Sequence, residues 1–428
     1  MHEASPPSRI RLATMSLLEA PPRSSAAKKS RKKRTREATV VDLFSGAGGM
    51  SSGFARHPAF ELVGAADAEI GKPSNGPGSL GCNSSYSRNI GIDPIQVDLG
   101  KISPEDLRDR LELTTRPTVL IACPPCTGFS RTLARNHLVD DVRNSLVGRV
   151  GAFVRVMQPE IVVVENAREL ITGRFSNHFA SLKADLEAQK YSVSEQIHFL
   201  SDFGLPQRRE RALVIAVKKK YRLHNLLDLW DGFTLNQEAT HVRRAIGSLP
   251  PVPAGETHPD DPFHVSPRVL SEVNRRRLAA LPSDGGSWFQ LVDHPEADDL
   301  LTPSMKQRAA IRDFGSHPDV YGRLWWDRPA ATIKRECGHI GNGRYAHPEQ
   351  NRLCTVRELA LLQGFPNDYE FDASSLTNMY RHVGDAVPPM IAFQIASTIA
   401  WSLGGRRPGP ERFVLPGTSL NSQDVIEV

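Results

Sequence analysis

Val40-Val41-Asp42-Leu43-Phe44-Ser45-Gly46-Ala47-Gly48-Gly49 reads as a buried strand running straight into a glycine turn. Glycines at 46, 48 and 49 remove Cβ atoms where a backbone must turn sharply or come close to a ligand. In an open α/β sheet, nucleotides bind at the C-terminal edge of such a strand. The loop is neither the dinucleotide pattern G-x-G-x-x-G nor a phosphate loop ending in Gly-Lys-Ser/Thr. It therefore suits a nucleoside better than a pyrophosphate, with a tight structural turn as the competing reading.

Outward from that strand, short β-branched runs at 39–44, 60–66, 118–122, 161–164 and 212–217 alternate with helical patterns. That alternation predicts a parallel sheet with crossover helices. Leu146, Val147, Val150, Phe153, Val154 and Met157 share one face of a helix over 143–157, which Pro159 ends. Beyond Val217 the alternation fails. Residues 218–330 hold Pro/Gly-rich turns and 15 Lys/Arg against 15 Asp/Glu, and predict a separate irregular lobe. Helical patterns return at 355–364 and 388–403, and residues 406–428 read as a flexible tail.

Composition bounds the rest. A chain of 428 residues with 39% hydrophobic and 24% charged residues predicts a globular protein of about two or three lobes. No uninterrupted run of about 18 uncharged apolar residues is present, which argues against a membrane-spanning helix. Five cysteines argue against a disulfide scaffold and suit a reducing cytoplasm, and no apolar leader is apparent. Residues 1–38 hold ten Lys/Arg and three Glu, so this tail carries +7 of a net +5 and the remainder carries −2. Such a tail predicts disorder. Its run Lys28 to Arg34 suits nucleic acid phosphates, while a solubilising extension, or a true start at Met15, is equally compatible.

Candidate side chains follow the strands. Asp67 ends the second strand about 20 residues after the glycine loop, where an acid accepts ribose hydroxyls; Glu69 is its competitor. Asp98 follows a further short segment and suits an adenine amino group. The stretch Val119-Leu120-Ile121-Ala122-Cys123-Pro124-Pro125-Cys126 delivers cysteines into a turn stiffened by two prolines, as a nucleophile requires. The spacing Cys123-x-x-Cys126 also fits a redox dithiol or half a zinc site. Cys337 and Cys354 supply no second pair for a metal, so none is expected.

Several blocks, in order, resemble the bacterial-type DNA cytosine-5 methyltransferase family. They are the loop 42–49, Pro125-Cys126 with Phe129-Ser130, the stretch 141–146, Glu165-Asn166-Ala167, Gln207-Arg208-Arg209-Glu210-Arg211, the stretch 357–366 and Gly384-Asp385-Ala386-Val387-Pro388-Pro389. Thr127, Ala167 and Asp385 depart from the usual Gln, Val and Asn. The resemblance implies a Rossmann-like S-adenosylmethionine-dependent methyltransferase sheet over 39–217, completed by 331–405, with a target recognition domain at 218–330.

It also implies roles. Cys126 would add to carbon-6 of a flipped-out cytosine, because carbon-5 alone is too weak a nucleophile to take a sulfonium methyl. Glu165 would meet ring nitrogen-3, Arg211 would hold the cytosine oxygen and orient Glu165, and Arg209 would line the pocket. A structural ion pair is the alternative for Glu165 and Arg211. S-adenosylmethionine would be held by Phe44, Ser45, Gly46, Gly48, Gly49, Asp67, Asp98, Leu146 and Val387. Residues 127–140 would form a lid, with Arg131 and Arg135 on phosphates. The implied partners are double-stranded DNA and a cognate restriction endonuclease, for a monomer working at the nucleoid in the cytoplasm. Arg275 to Arg277 are candidates for base readout, whereas Trp325 and Trp326 read as core. An RNA cytosine methyltransferase and a non-catalytic DNA-binding relative are the rivals. The Cys-Phe-Thr signature of the tRNA enzyme is not apparent, and a binding module has no use for Cys126, Glu165 and Arg211 together.

Overall fold

A seven-stranded sheet organises the chain, in the order β3-β2-β1-β4-β5-β7-β6. Its strands are β1 (Ala38–Leu43), β2 (Phe60–Asp67), β3 (Ile95–Gln96), β4 (Val119–Ala122), β5 (Ile161–Asn166), β6 (Tyr191–Phe199) and β7 (Glu210–Lys218). The structure is a computed structural model and describes residues 38–70, 80–125, 145–268, 271–311 and 319–428. The basic tail, Cys126, the lid 127–140 and residues 141–144 lie outside the described residues.

Strands β1 to β5 pair in parallel, while β7 is antiparallel to both β5 and β6. The strand order reverses between β1 and β4, which opens a crevice at their C-terminal ends. Both faces are covered, so the strands read as continuous apolar runs rather than alternating ones. On one face Val40, Ile121, Val163 and Leu213 pack with α1 (Gly49–Ala55) and the helix Pro389–Ser402. On the other, Val41, Leu120, Val162 and Val214 share a core with the stripe Val147, Val150, Phe153, Val154 and Met157 of a crossover helix, Ser145–Met157. Gly53 of α1 is small for a packing reason: a Cβ there would sit 2.4 Å from the backbone of Ala392 and Phe393.

The second lobe has its own core, running from Val242 to Ala386 and including Trp288, Trp326, Leu359 and Tyr380. It begins later and ends later than the expected 218–330. The helix Leu226–Trp230 packs on the sheet core instead, and the chain rejoins that core at Val387 rather than at 331. Composition marks where strand alternation stops, not where contacts regroup. Buried arginines replace regular structure inside this lobe. Arg323 donates to the carbonyls of Leu278, His347 and Gln350, and Arg352 forms a buried two-pronged pair with Glu358 at 2.7 and 2.8 Å. Trp326 is core as expected, and Trp325 is half-buried, with Arg344 stacked 3.8 Å over its ring.

Two expectations need correction. Residues 406–428 are not a loose tail: Phe413, Leu415 and Leu420 are buried, and the strand Val425–Glu427 pairs antiparallel with Phe233–Leu235. The edge strand β6 was missed, because its half-buried residues Ser192 to Ile197 lack the apolar run of an inner strand. The stretch Leu376–Ser402 is long and apolar enough to cross a membrane, yet 89% of its most apolar part is buried inside the protein.

Candidate active site

The nucleotide end is built where β1 stops. Phe44 takes a left-handed φ of +61°, costly for a non-glycine residue. Its N–H and that of Ser45 both reach the Ala66 carbonyl of β2, at 2.9 and 3.3 Å. Gly46 (φ +51°) follows, and among the described residues no atom lies within 4 Å of where its Cβ would stand. That space is a cradle a side chain would fill. Gly48 (φ +85°) caps α1, and a Cβ there would press on Tyr86 and the Tyr369 hydroxyl, both at 3.1 Å. A Cβ on Gly49 would lie 2.3 Å from the Val387 carbonyl, so these two cofactor candidates are brought into backbone contact.

Asp67 braces this loop. Its carboxylate accepts from the N–H groups of Gly46 (3.0 Å) and Glu69 (2.7 Å) and from the Cys82 thiol (3.6 Å). Burial raises its pKa. Glu69, its competitor, accepts instead from Asn83 N–H at 2.7 Å. Asp98 sits farther along the same edge, its side chain 37% exposed. Its Oδ1 accepts from Gly100 N–H at 2.9 Å. Leu146 joins it there: a Cβ on Gly100 would meet Asp98 at 3.1 Å and Leu146 at 3.2 Å. The Ser45 hydroxyl is buried without a hydrogen-bond partner among the described residues. A polar hydroxyl held in a glycine-lined hollow, with carboxylates at the strand ends, fits an adenosine-bearing ligand.

The second half of the site lies across the crevice. Cys123 leaves β4 with its N–H on the Leu43 carbonyl at 3.3 Å. Asn166, at the end of β5, donates to the Pro124 carbonyl at 2.9 Å and so tethers the proline turn that leads to Cys126. The Cys123 thiol is pushed well above its ordinary pKa by burial, then by the Glu165 and Asp42 carboxylates. It is held as a neutral thiol, a poor nucleophile.

Glu165 is the buried penultimate residue of β5, and Arg211 is the second residue of β7. Because β7 runs antiparallel, its first residues lie beside the last residues of β5, with Glu165 opposite Leu213. Side chains alternate along a strand, so Arg211 shares the face of Leu213 and Glu165. Arg211 Nε stands 2.9 Å from Glu165 Oε1. The contact is an ion pair rather than an aligned hydrogen bond, since Oε1 accepts none among the described residues. Arg211 Nη1 donates to the Glu210 carbonyl at 2.7 Å.

Arg209, two residues before Arg211, has a different set of partners. It is buried and donates to the carbonyls of Ile333 (3.0 Å) and Ala386 (3.2 Å), tying the sheet to the second lobe. Its two-residue spacing from Arg211 does not put it on the same face, because Arg209 precedes the start of β7 at Glu210. Gln207 extends the same knot, donating to Gln363 at 2.6 Å and accepting from Ile333 N–H at 2.9 Å. The sequence reading assigned no role to Tyr86, Ser51 or Tyr369. Ser51 donates to Asp42 at 2.6 Å and lies 2.8 Å from the Tyr86 hydroxyl, while the Tyr369 hydroxyl donates to the Ala47 carbonyl. No motif signals these residues, because they only meet the loop through packing. Of Arg275 to Arg277, Arg275 and Arg276 pair with neighbouring acids and Arg277 is buried against the Leu300 carbonyl.

A sheet of this order, with a glycine loop at its switch point, is the fold of the S-adenosylmethionine-dependent methyltransferases. Within that class the chain belongs to the C-5 cytosine-specific DNA methylase family, whose model matches residues 38–401. It is accordingly a DNA cytosine-5 methyltransferase. The Type II methylase M.HgiDII of Herpetosiphon aurantiacus is 30% identical over 370 residues, covering 86% of this chain and 96% of that protein. The Type II methyltransferase M.NgoFVII of Neisseria gonorrhoeae is 29% identical, covering 84% and 86%. Among solved structures, an E. coli protein described as a prophage-encoded DNA modification methyltransferase superposes with a TM-score of 0.61 at 20% identity, over 86% of this chain and all of that one. The Dnmt2 methyltransferase of S. pombe gives 0.54 at 17%, over 86% and 100%; both likenesses concern the fold.

Proposed function

We propose that the chain methylates carbon-5 of one cytosine within a short duplex DNA sequence, through a transient covalent bond at Cys126, as the modification partner of a restriction endonuclease in the bacterial cytoplasm. The observation that carries this reading is the buried Glu165–Arg211 pair, 2.9 Å apart at the sheet edge to which the Cys123-Pro124-Pro125 turn is tethered. The names of the Type II relatives favour the restriction-modification setting.

The target atom is hidden in a stacked duplex, so the cytosine must leave the helix, at a cost of a few kcal/mol. Cys126 thiolate then bonds to carbon-6, and the ring electrons move toward carbon-5 and nitrogen-3. Glu165 sits where it can share a proton with nitrogen-3, and Arg211 holds both Glu165 and the ring oxygen. When bound, S-adenosylmethionine would supply its sulfonium methyl to carbon-5, with S-adenosylhomocysteine as the leaving thioether. Phe44, Ser45, Gly46, Asp98, Leu146 and Val387 are the residues that would hold it, with Asp67, Gly48 and Gly49 keeping the loop in shape. The carbon-5 proton is lost to water or a solvent base, and the carbon-6–sulfur bond breaks to return Cys126 and the aromatic ring.

Bisulfite sequencing of DNA from a methylation-free host expressing the chain tests this directly. Protected cytosines confined to one motif are expected. Unprotected DNA alongside well-expressed, folded protein, or transfer to tRNA in preference to duplex DNA, overturns it.

A further inference from the structure

The turn into the helix Pro389–Ser402 carries an acid, Asp385, where the family usually has asparagine. Its Oδ2 is 2.7 Å from Nη1 of Arg335, so the pair sits in the second lobe just before the chain rejoins the sheet core at Val387. The other two guanidinium nitrogens of Arg335, Nε and Nη2, are shielded from solvent and have no hydrogen-bond partner among the described residues. A guanidinium so placed depends on its carboxylate, because losing one partner of a desolvated pair costs more than the pair contributes. Asp385 is 40% exposed, so by itself the contact would pass for an ordinary surface pair.

The backbone around it is not ordinary. A Cβ on Gly384 would stand 2.2 Å from the Lys334 carbonyl and 2.7 Å from Arg335 N, so the two segments touch main chain to main chain. The Ala386 carbonyl accepts from Arg209 (3.2 Å) and Gln363 (2.7 Å). The Val387 carbonyl closes on Gly49 of the glycine loop. One residue on from Arg335, Glu336 pairs with Arg381 at 3.4 Å, crossing the same junction with the charges exchanged. An unbroken line of tight contacts therefore joins Arg335 to the nucleotide loop through four consecutive residues.

We infer that Arg335 and Asp385 act together as positioning residues for the methyl-donor pocket. The pair presses Ala386 and Val387 against Gly49 and so sets the shape of the loop. This inference rests on the reading that the glycine loop holds S-adenosylmethionine.

Calorimetric titration of the full chain with S-adenosylhomocysteine tests it, alongside thermal melting. Asp385→Asn installs the family's usual residue, yet it should weaken binding by about tenfold, as expected for stranding a partly buried charge. Arg335→Lys keeps the charge and should bind nearly as the unaltered chain does. Arg335→Gln combined with Asp385→Asn should recover most of the loss, because no stranded guanidinium remains. In turnover assays the KM for the methyl donor should rise while kcat at saturation stays within about twofold, since no group at the reacting atoms changes. Unchanged or tighter binding by Asp385→Asn overturns the inference, as does strict additivity in the double variant. Failure of the unaltered chain to bind would overturn the cofactor reading itself, and this inference with it.

Discussion

Arg211 meets Glu165 across the one reversed strand of the sheet, with Nε 2.9 Å from Oε1. The reversal matters because it lays the start of β7 against the end of β5. A parallel strand in that place would carry its first residue to the opposite edge of the sheet. The pair is mostly buried, and Glu165 Oε1 has no aligned donor among the described residues.

Removing either partner should therefore read out differently. Glu165→Gln keeps a neutral acceptor beside Arg211 and should fold, with kcat lower by about 10²- to 10⁴-fold. Arg211→Ala leaves a buried carboxylate alone and should cost about 3 kcal/mol of stability as well as activity. Urea unfolding and methyl-transfer assays on both variants check this; equal stability losses would contradict the arrangement.

The two cysteines of the proline turn should behave oppositely. Duplex DNA carrying 5-fluorocytosine at the target should become irreversibly attached to the unaltered chain and to Cys123→Ser, but not to Cys126→Ser. Cys123 is held as a neutral thiol beside two carboxylates, which argues against its attack. Denaturing gels read the adduct. Attachment that survives Cys126→Ser would remove the nucleophile from the mechanism.

Burial lifts the Asp42 carboxyl from 3.8 to about 7, opposed by the Ser51 hydroxyl and aided by Asp67. Below the ordinary value, folded and unfolded chains both carry the proton and the group is neutral for stability. As pH rises toward 7 the unfolded chain releases its proton first, so the folded state loses ground, and above 7 that loss is complete. Asp42→Asn should therefore raise the Tm at pH 8 and make little difference near pH 4. A pH-independent change in Tm would contradict the raised carboxyl.

Gly46 and Gly53 should fail for different reasons. Gly46→Ala strains a φ of +51° by about 1 kcal/mol and fills open space, so the fold should survive and methyl-donor affinity should fall. Gly53→Ala drives a methyl group to 2.4 Å from the backbone of Ala392 and Phe393 and should lower the Tm outright. Calorimetric binding and melting on both variants separate the two outcomes.

In the second lobe, Arg352→Met alone should destabilise by about 3–5 kcal/mol, because Glu358 would be left buried without its partner. Adding Glu358→Leu should restore part of that loss, as urea titration would show.

The strand runs, the glycine loop, the crossover helix and the order of chemical blocks could all be read from sequence, because each depends on neighbours within a few residues. Apolar runs bury themselves on a two-faced sheet, and glycines mark tight backbone wherever it occurs. Local pattern did not reveal that Arg209 would tie two carbonyls, that β6 would pair with β7, or that residues 406–428 would pack. Those outcomes turn on which distant segments share a low-dielectric space, and that competition among contacts is settled only when the whole chain has closed around its cores.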